Sequence, residues 1–303
     1  MTQHNFHTIM NVLTLDRFEQ RCVALLQDPK TATLFGNKGV ARGVMAKELD
    51  QNTPDSFRVL LEIVDILTQY ATPYQEYSTD WYPVIEHLCG QTLQDDGCGN
   101  RYISVGERPA IMFNAHVDSA CTTLQPIIKQ WENTTQRLST DGRTILSADD
   151  KAGVAIMIAM IWAEVPGLYY FFDGEEKGRI GSQALALEFD SKEHCQSVQI
   201  VFSLDRKNTG DIRTVQKGIR MCSKQCADII QQVLANQGLE YKEETGIGIS
   251  DSASFNDISH IKECVNISVG YVNEHFPNET LDIDHVHKLT NAMIAINWED
   301  ELI

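Results

Sequence analysis

His116 and Asp118 lie two apart in FNAHVD, and Asp149 leads the DDKAG of SADDKAG. Glu175 and Glu176 follow FFDG, Asp205 precedes the arginine of FSLDR, and His275 ends YVNEH. All are imidazoles or carboxylates, gathered at the ends of apolar runs. Imidazole with carboxylate is the ligand set of catalytic zinc, and two such ions roughly 3.5–4 Å apart form a hydrolytic clamp. One such segment alone is weak evidence. All five together point to a two-metal hydrolase.

Adjacent carboxylates can divide the work. Beyond a strand end the backbone turns, so one of Glu175 and Glu176 can bind metal while the other faces the attacking water as general base. At His116, one ring nitrogen can bind metal while Asp118 accepts a hydrogen bond from the other and fixes the tautomer. For an isolated HxD, a histidine satisfied within the core is the alternative. Asp149 and Asp150 open the most apolar helical stretch, where an aspartate is ordinarily a cap. A two-metal site, however, needs a carboxylate that lends one oxygen to each ion, and this pair offers one. Gly153 would let the helix pack closely on its neighbours. Asp205 and His275 complete two ligand sets. His4, His7, His87, His194, His260, His285 and His287 have no matching partner and are expected to be non-ligands.

These residues need a scaffold that brings distant positions together. Apolar runs at 110–115, 168–172, 198–204 and 265–271 alternate with helical patterns at 152–165, 182–189, 226–238 and 285–298. Such alternation predicts a mainly parallel sheet in a three-layer α/β/α arrangement, with ligands bound outside the carboxyl ends of the strands. DDGCGN (95–100) reads as a turn between two short strands. Further helices are expected over 57–71 and, in an N-terminal helical extension spanning 1–50, over 10–28. Residues 51–303 are then the catalytic domain. No chemistry is assigned to the extension.

Composition narrows the function. A formal net charge of -17 argues against nucleic-acid binding, which needs a basic stripe. No run reaches the roughly 20 apolar residues of a membrane span. The first twenty residues lack a basic stretch followed by an apolar one, so no export signal is expected and the cytoplasm is the expected location. The eight cysteines contain no CxxC and read as reduced thiols, mostly core filler.

HVD, DDKAG, EE, LDR and NEH, in this order, resemble the co-catalytic di-zinc exopeptidases, which include zinc aminopeptidases, peptidase T and glutamate carboxypeptidase. YATPYQEYSTDWYPVIEHL, followed by DDGCGN, resembles the opening helix and first hairpin of that family, so the likeness covers roughly residues 57–300. It implies the mixed, mainly parallel sheet of the zinc-peptidase (phosphorylase/hydrolase-like) fold. It also implies that His116 and Asp205 hold one zinc, Glu176 and His275 the other, and that Asp149 bridges them. Glu175 would be the general base, Asp118 would orient His116, and the Asp149–Asp150 peptide would be cis. Cobalt or manganese suits the same nitrogen and oxygen ligands.

Seventy positions separate Asp205 from His275. That is room for two or three strands and helices of the same sheet, but not for the lid or dimerisation domain that many carboxypeptidase-like and tripeptidase relatives insert there. The single-domain form is more typical of aminopeptidases. Asp251, in the Gly- and Ser-rich GIGISDSASF (246–255), is a candidate for a substrate's free α-amino group. Arg206 could instead pair with an α-carboxylate through its bidentate fork. The expected substrate is a peptide or a small N-acyl or amide compound. The alternatives are an N-acyl amino acid deacylase or carboxypeptidase on the same metals, and an inactive relative used for binding. Against the last, all five ligands and Glu175 are present.

Overall fold

The apolar runs become the centre of one sheet. The computed structural model describes residues 49, 52–75, 77–246 and 248–303, so the helix over 10–28 and nearly all of the 1–50 extension lie outside the described residues. In chain order the strands used below are β1 (Gln94–Asp95), β2 (Arg101–Val105), β3 (Ile111–His116), β4 (Lys129–Glu132), β5 (Arg137–Thr140) and β6 (Gly167–Phe172). They continue with β7 (Ile200–Arg206), β8 (Asp211–Arg213), β9 (Lys242–Glu244), β10 (Glu263–Ser268), β11 (Tyr271–Val272) and β12 (Thr280–Asp282). Eight of them form the main sheet in the order β9-β8-β10-β7-β3-β6-β2-β1. The inner four, β10, β7, β3 and β6, run parallel, while β2 and β1 are antiparallel additions built by the expected hairpin. The sheet is mixed and mostly parallel.

Period-2 alternation sends successive side chains to opposite faces. From β6, Tyr169 and Phe171 enter one hydrophobic cluster, and Leu168, Tyr170 and Phe172 the other. The first cluster contains the helices α1 (Asp55–Leu67), α2 (Trp81–Cys89), α3 (Ala148–Trp162), α5 (Lys224–Asn236) and α6 (Ile283–Ala295). The second is covered by α4 (Ile180–Glu188) and short 3₁₀ turns. Helices on both faces leave the central strands no solvent side, which is why they read as unbroken apolar runs.

Helix α3 is buried at all fifteen positions because it lies between the sheet and α1 and α6. Its approach to β7 depends on Gly153, where an added Cβ would stand 2.0 Å from the Leu204 carbonyl oxygen. Two helices are shorter than their sequence patterns suggest. After Leu67 the Thr68 hydroxyl donates back to the Val64 carbonyl at 2.7 Å, and Tyr70–Ala71 pairs with Gln125–Pro126 instead of continuing α1. Helix α6 ends at Ala295, where Ile296 turns extended. A separate short helix, α7 (Trp298–Leu302), then inserts Trp298 edge-on against Phe202, 5.3 Å between ring centroids.

Between Asp205 and His275 the chain adds β8, β9 and β10 to the main sheet, with α5 beside them, and no separate domain. A second antiparallel sheet, β11-β12-β5-β4, has no counterpart in the sequence reading. No helix among the described residues is long and apolar enough to cross a membrane. The seven described cysteines are all free, and all but Cys98 are buried.

Two outcomes follow from this packing. Gly153→Ala forces a methyl group into the Leu204 carbonyl and should cost about 1–3 kcal/mol, read from the urea midpoint. Burial holds the His285 imidazole down at about 4, below the ~6.5 of an unfolded histidine. The unfolded chain therefore binds more protons in that window, so stability is full above about pH 6.5 and is lost as pH falls toward 4. Denaturation at pH 5 should show about 1–2 kcal/mol less stability from this residue than at pH 7, a difference that His285→Gln removes.

Candidate metal centre

The strand ends carry the chemistry. His116 is the last residue of β3, and Asp205 lies at the end of β7. Glu175 and Glu176 begin a 3₁₀ turn (Glu175–Lys177) just past β6, and Asp149 stands at the start of α3. His275 comes from elsewhere. The β10 strand ends at Ser268, and His275 rides on the loop between β11 and β12 of the second sheet, with a left-handed φ of 68°. Two sheets therefore meet at one site.

Asp149 lies between the two histidines. Its Oδ1 is 3.0 Å from His116 Nε2 and its Oδ2 is 3.2 Å from His275 Nε2. Asp205 Oδ1 lies 3.7 Å from the same nitrogen of His116, and Glu176 Oε1 lies 3.0 Å from that of His275. The cluster thus divides into His116 with Asp205 and His275 with Glu176, and Asp149 turns one oxygen to each half. Glu176 Oε1 is buried and points at the His275 imidazole.

Asp150 is also close, its ligand atoms within 4.8 Å of those of His116 and Asp205. Its oxygens are already engaged: Oδ1 accepts from Gly153 N at 3.1 Å and Oδ2 from His116 N at 3.3 Å. Asp149 and Asp150 have non-helical dihedrals, and the peptide between them is cis. The two aspartates have different partners, Asp150 capping α3 and Asp149 facing the histidines.

The electrostatics are those of crowded acids. Burial and then the neighbouring Asp251, Glu176 and Asp149 raise the Glu175 carboxyl well above its usual range, against the pull of His116. Burial likewise raises Asp205, with Asp150 and Asp149 adding to it. Hydrogen bonds to Asp149 and Glu176 push His275 up to about 10. Burial opposes charging of His116, but its bonds to Asp118 and Asp149 prevail and raise it. Such a nitrogen and carboxylate donor set, with more negative than positive charge, fits a pair of divalent cations.

Two carboxylates outside the cluster hold its backbone. Asp118 Oδ1 accepts from Gly174 N at 2.9 Å and Glu175 N at 3.1 Å, and Oδ2 accepts from Glu176 N at 3.1 Å. Nearest to His116 Nδ1 is the Asp118 backbone carbonyl at 3.1 Å, with the carboxylate at 3.4 Å. The carboxylate is thus mainly engaged with the glutamate turn. Glu279, fully buried, does the same for the other loop: Oε2 accepts from Leu146 N at 2.8 Å and Ser147 N at 2.9 Å, and Oε1 from Asp149 N at 3.0 Å.

Sequence reasoning missed Glu279, which carries no motif. It also missed Asn266, whose side chain accepts from Asp205 N at 3.0 Å and donates to Asp205 O at 2.7 Å. A lone asparagine inside the apolar run VNIS was the available signal. Tyr271 donates its hydroxyl to Asp205 Oδ1 at 3.1 Å. Lys151, fully buried, donates to the Val117 carbonyl and lies 5.5 Å over the Trp81 ring, its ammonium brought down to about 8 by burial.

Asp251 is 2% exposed and accepts a hydrogen bond from Ser182 Oγ, and burial pushes its carboxyl up to about 6. Arg206 faces Asp211 Oδ2 at 3.5 Å and Glu244 Oε2 at 3.8 Å. His285 and His287 bond Tyr241 and Ser56 respectively, apart from the cluster.

No protein-family model matches the chain, and no curated protein matches it. Solved structures do. Aminopeptidase PepT from Bacillus cereus aligns with a TM-score of 0.65 at 15% identity, over 79% of this chain and 97% of that one. A tripeptidase from Staphylococcus aureus aligns at 0.63 and 15%, over 80% and 98%. The LapA aminopeptidase of Legionella pneumophila aligns at 0.58 and 16%, over 80% and 71%. At these identities the likeness is one of fold, and this chain has the α/β fold of those enzymes.

Glu279→Gln replaces an acceptor-only group with one that turns an NH₂ toward backbone N–H groups. Zinc affinity, measured by competition with a chromophoric chelator, should fall roughly 10–100-fold while the fold is kept.

Proposed function

We propose that this protein is a two-metal exopeptidase that cleaves small peptides from their free N-terminus. The observation that carries the reading is Asp149, with one oxygen toward His116 and the other toward His275, 3.0 and 3.2 Å away. His116 and Asp205 would hold one ion, Glu176 and His275 the second, and Asp149 both. Zinc suits this set best, and cobalt or manganese is compatible. The names aminopeptidase and tripeptidase borne by solved structures of the same fold support a peptide substrate.

When bound, such a cation pair would supply Lewis acidity to the scissile carbonyl and to the attacking water. Glu175 takes the proton from that water and returns it to the leaving amine. Its placement comes from Asp118, whose carboxylate fixes the turn through three backbone N–H groups. Asp251 is our candidate for the substrate's α-amino group; it lies near enough to Glu175 for the two carboxyls to repel. Arg206 supports a carboxypeptidase less well, because its guanidinium already faces two carboxylates.

The decisive experiment compares wild type with Glu175→Gln on free di- and tripeptides, aminoacyl amides and N-blocked peptides. Wild type should cleave only unblocked substrates. The variant should retain its metal and lose roughly 10²–10⁴-fold in kcat. Turnover confined to N-blocked substrates would replace the reading with a deacylase or carboxypeptidase. Full activity in Glu175→Gln would remove the base assignment, and metal binding without any turnover would point to a binding role.

A further inference from the structure

A second group of metal-type side chains lies at the other end of the sheet. Cys222, Cys226 and Glu263 place two sulfurs and a carboxylate oxygen all within 4.8 Å of one another. Glu263 begins β10, where it pairs with Ile200 at the start of β7. Asp205 is five residues further along β7, about 16 Å at ~3.3 Å per residue, so the two clusters occupy opposite rims.

The arrangement is built on Ser223. This residue caps α5, its Oγ accepting from Cys226 N at 3.1 Å. The same hydroxyl donates to Glu263 Oε1 at 2.7 Å, and Ser223 N donates to Oε2 at 2.6 Å. The carboxylate is thereby fixed toward two buried thiols, with lone pairs still free on both oxygens. The nearby cations are engaged elsewhere, Lys224 with Asp228 at 2.7 Å and Arg220 with Glu243 at 2.6 Å. Cys264 follows Glu263 but belongs to the hydrophobic cluster on the opposite face of the sheet from Cys222 and Cys226.

We propose that Cys222, Cys226 and Glu263 form a separate site for a thiophilic divalent cation of the zinc class. Two thiolates select such an ion over magnesium or calcium, and the carboxylate supplies the third ligand. On binding, both thiols release their protons, including the one Cys222 now directs at the Ser223 carbonyl, and water completes the tetrahedron. The ion would tie the start of α5 to the start of β10.

Cobalt tests this without reference to activity. A thiolate ligand gives cobalt(II) an intense sulfur-to-metal charge-transfer absorption, which the nitrogen and oxygen ligands of the other cluster do not. Reduced, metal-free full-length protein titrated with Co²⁺ should develop that absorption. It should be absent in Cys222→Ser and Cys226→Ser, with one equivalent less bound metal, and retained in Asp149→Asn and Cys264→Ser. No charge-transfer absorption in wild type, or its persistence in folded Cys222→Ser, overturns the proposal. Folding of each variant is checked by circular dichroism.

Discussion

Five carboxylates crowd two imidazoles at the edge of a buried sheet, and their mutual repulsion in a desolvated setting is what the surrounding structure must overcome. Backbone donors supply the restraint. Asp118 gathers three N–H groups of the glutamate turn, and Glu279 gathers three from the segment leading into α3. Each carboxylate bonded to several N–H groups makes a loop rigid at a place where loops would otherwise spread. Asp205 is held in the same manner by Asn266 and Tyr271. The acids therefore keep their positions through bonds made by neighbouring backbone and side chains, while Asp149 and Glu176 turn their oxygens toward the two imidazoles.

Helix α3 connects this restraint to the core. It is apolar on every side because both the sheet and other helices cover it, so its register cannot drift without opening a cavity. Gly153 brings it against β7, and Asp150 caps it while also accepting from the His116 backbone. The result is that Asp149 starts from a fully packed element. A site on such an element is positioned more precisely than one on a free loop.

The second sheet has the same purpose on the other side. Strands β11 and β12 flank the loop that carries both His275 and Glu279, and β12 pairs with β5, which precedes the segment that Glu279 holds. One loop thus contributes a candidate ligand and the carboxylate that steadies Asp149. This arrangement explains how a histidine half-exposed at the mouth keeps its place without a strand of the main sheet beneath it.

Much of the architecture was readable from residue order. Fully covered parallel strands must be continuous apolar runs, so the runs at 110–115, 168–172 and 198–204, close to the observed β3, β6 and β7, announced themselves, as did the acids and imidazoles that follow them. The strands of the second sheet, two to four residues long, carry too little periodicity to be seen. Glu279 looks like any surface acid until the fold buries it. Partnership was equally hidden: chain order does not say that Asp150 caps a helix while Asp149 faces two histidines, nor that Asp118 bonds a turn some fifty-six positions away. Residue type follows from the chemistry a position must support, and is visible in one dimension. The direction of each lone pair depends on where distant backbone N–H groups come to rest, which the packing of both sheets and α3 alone settles.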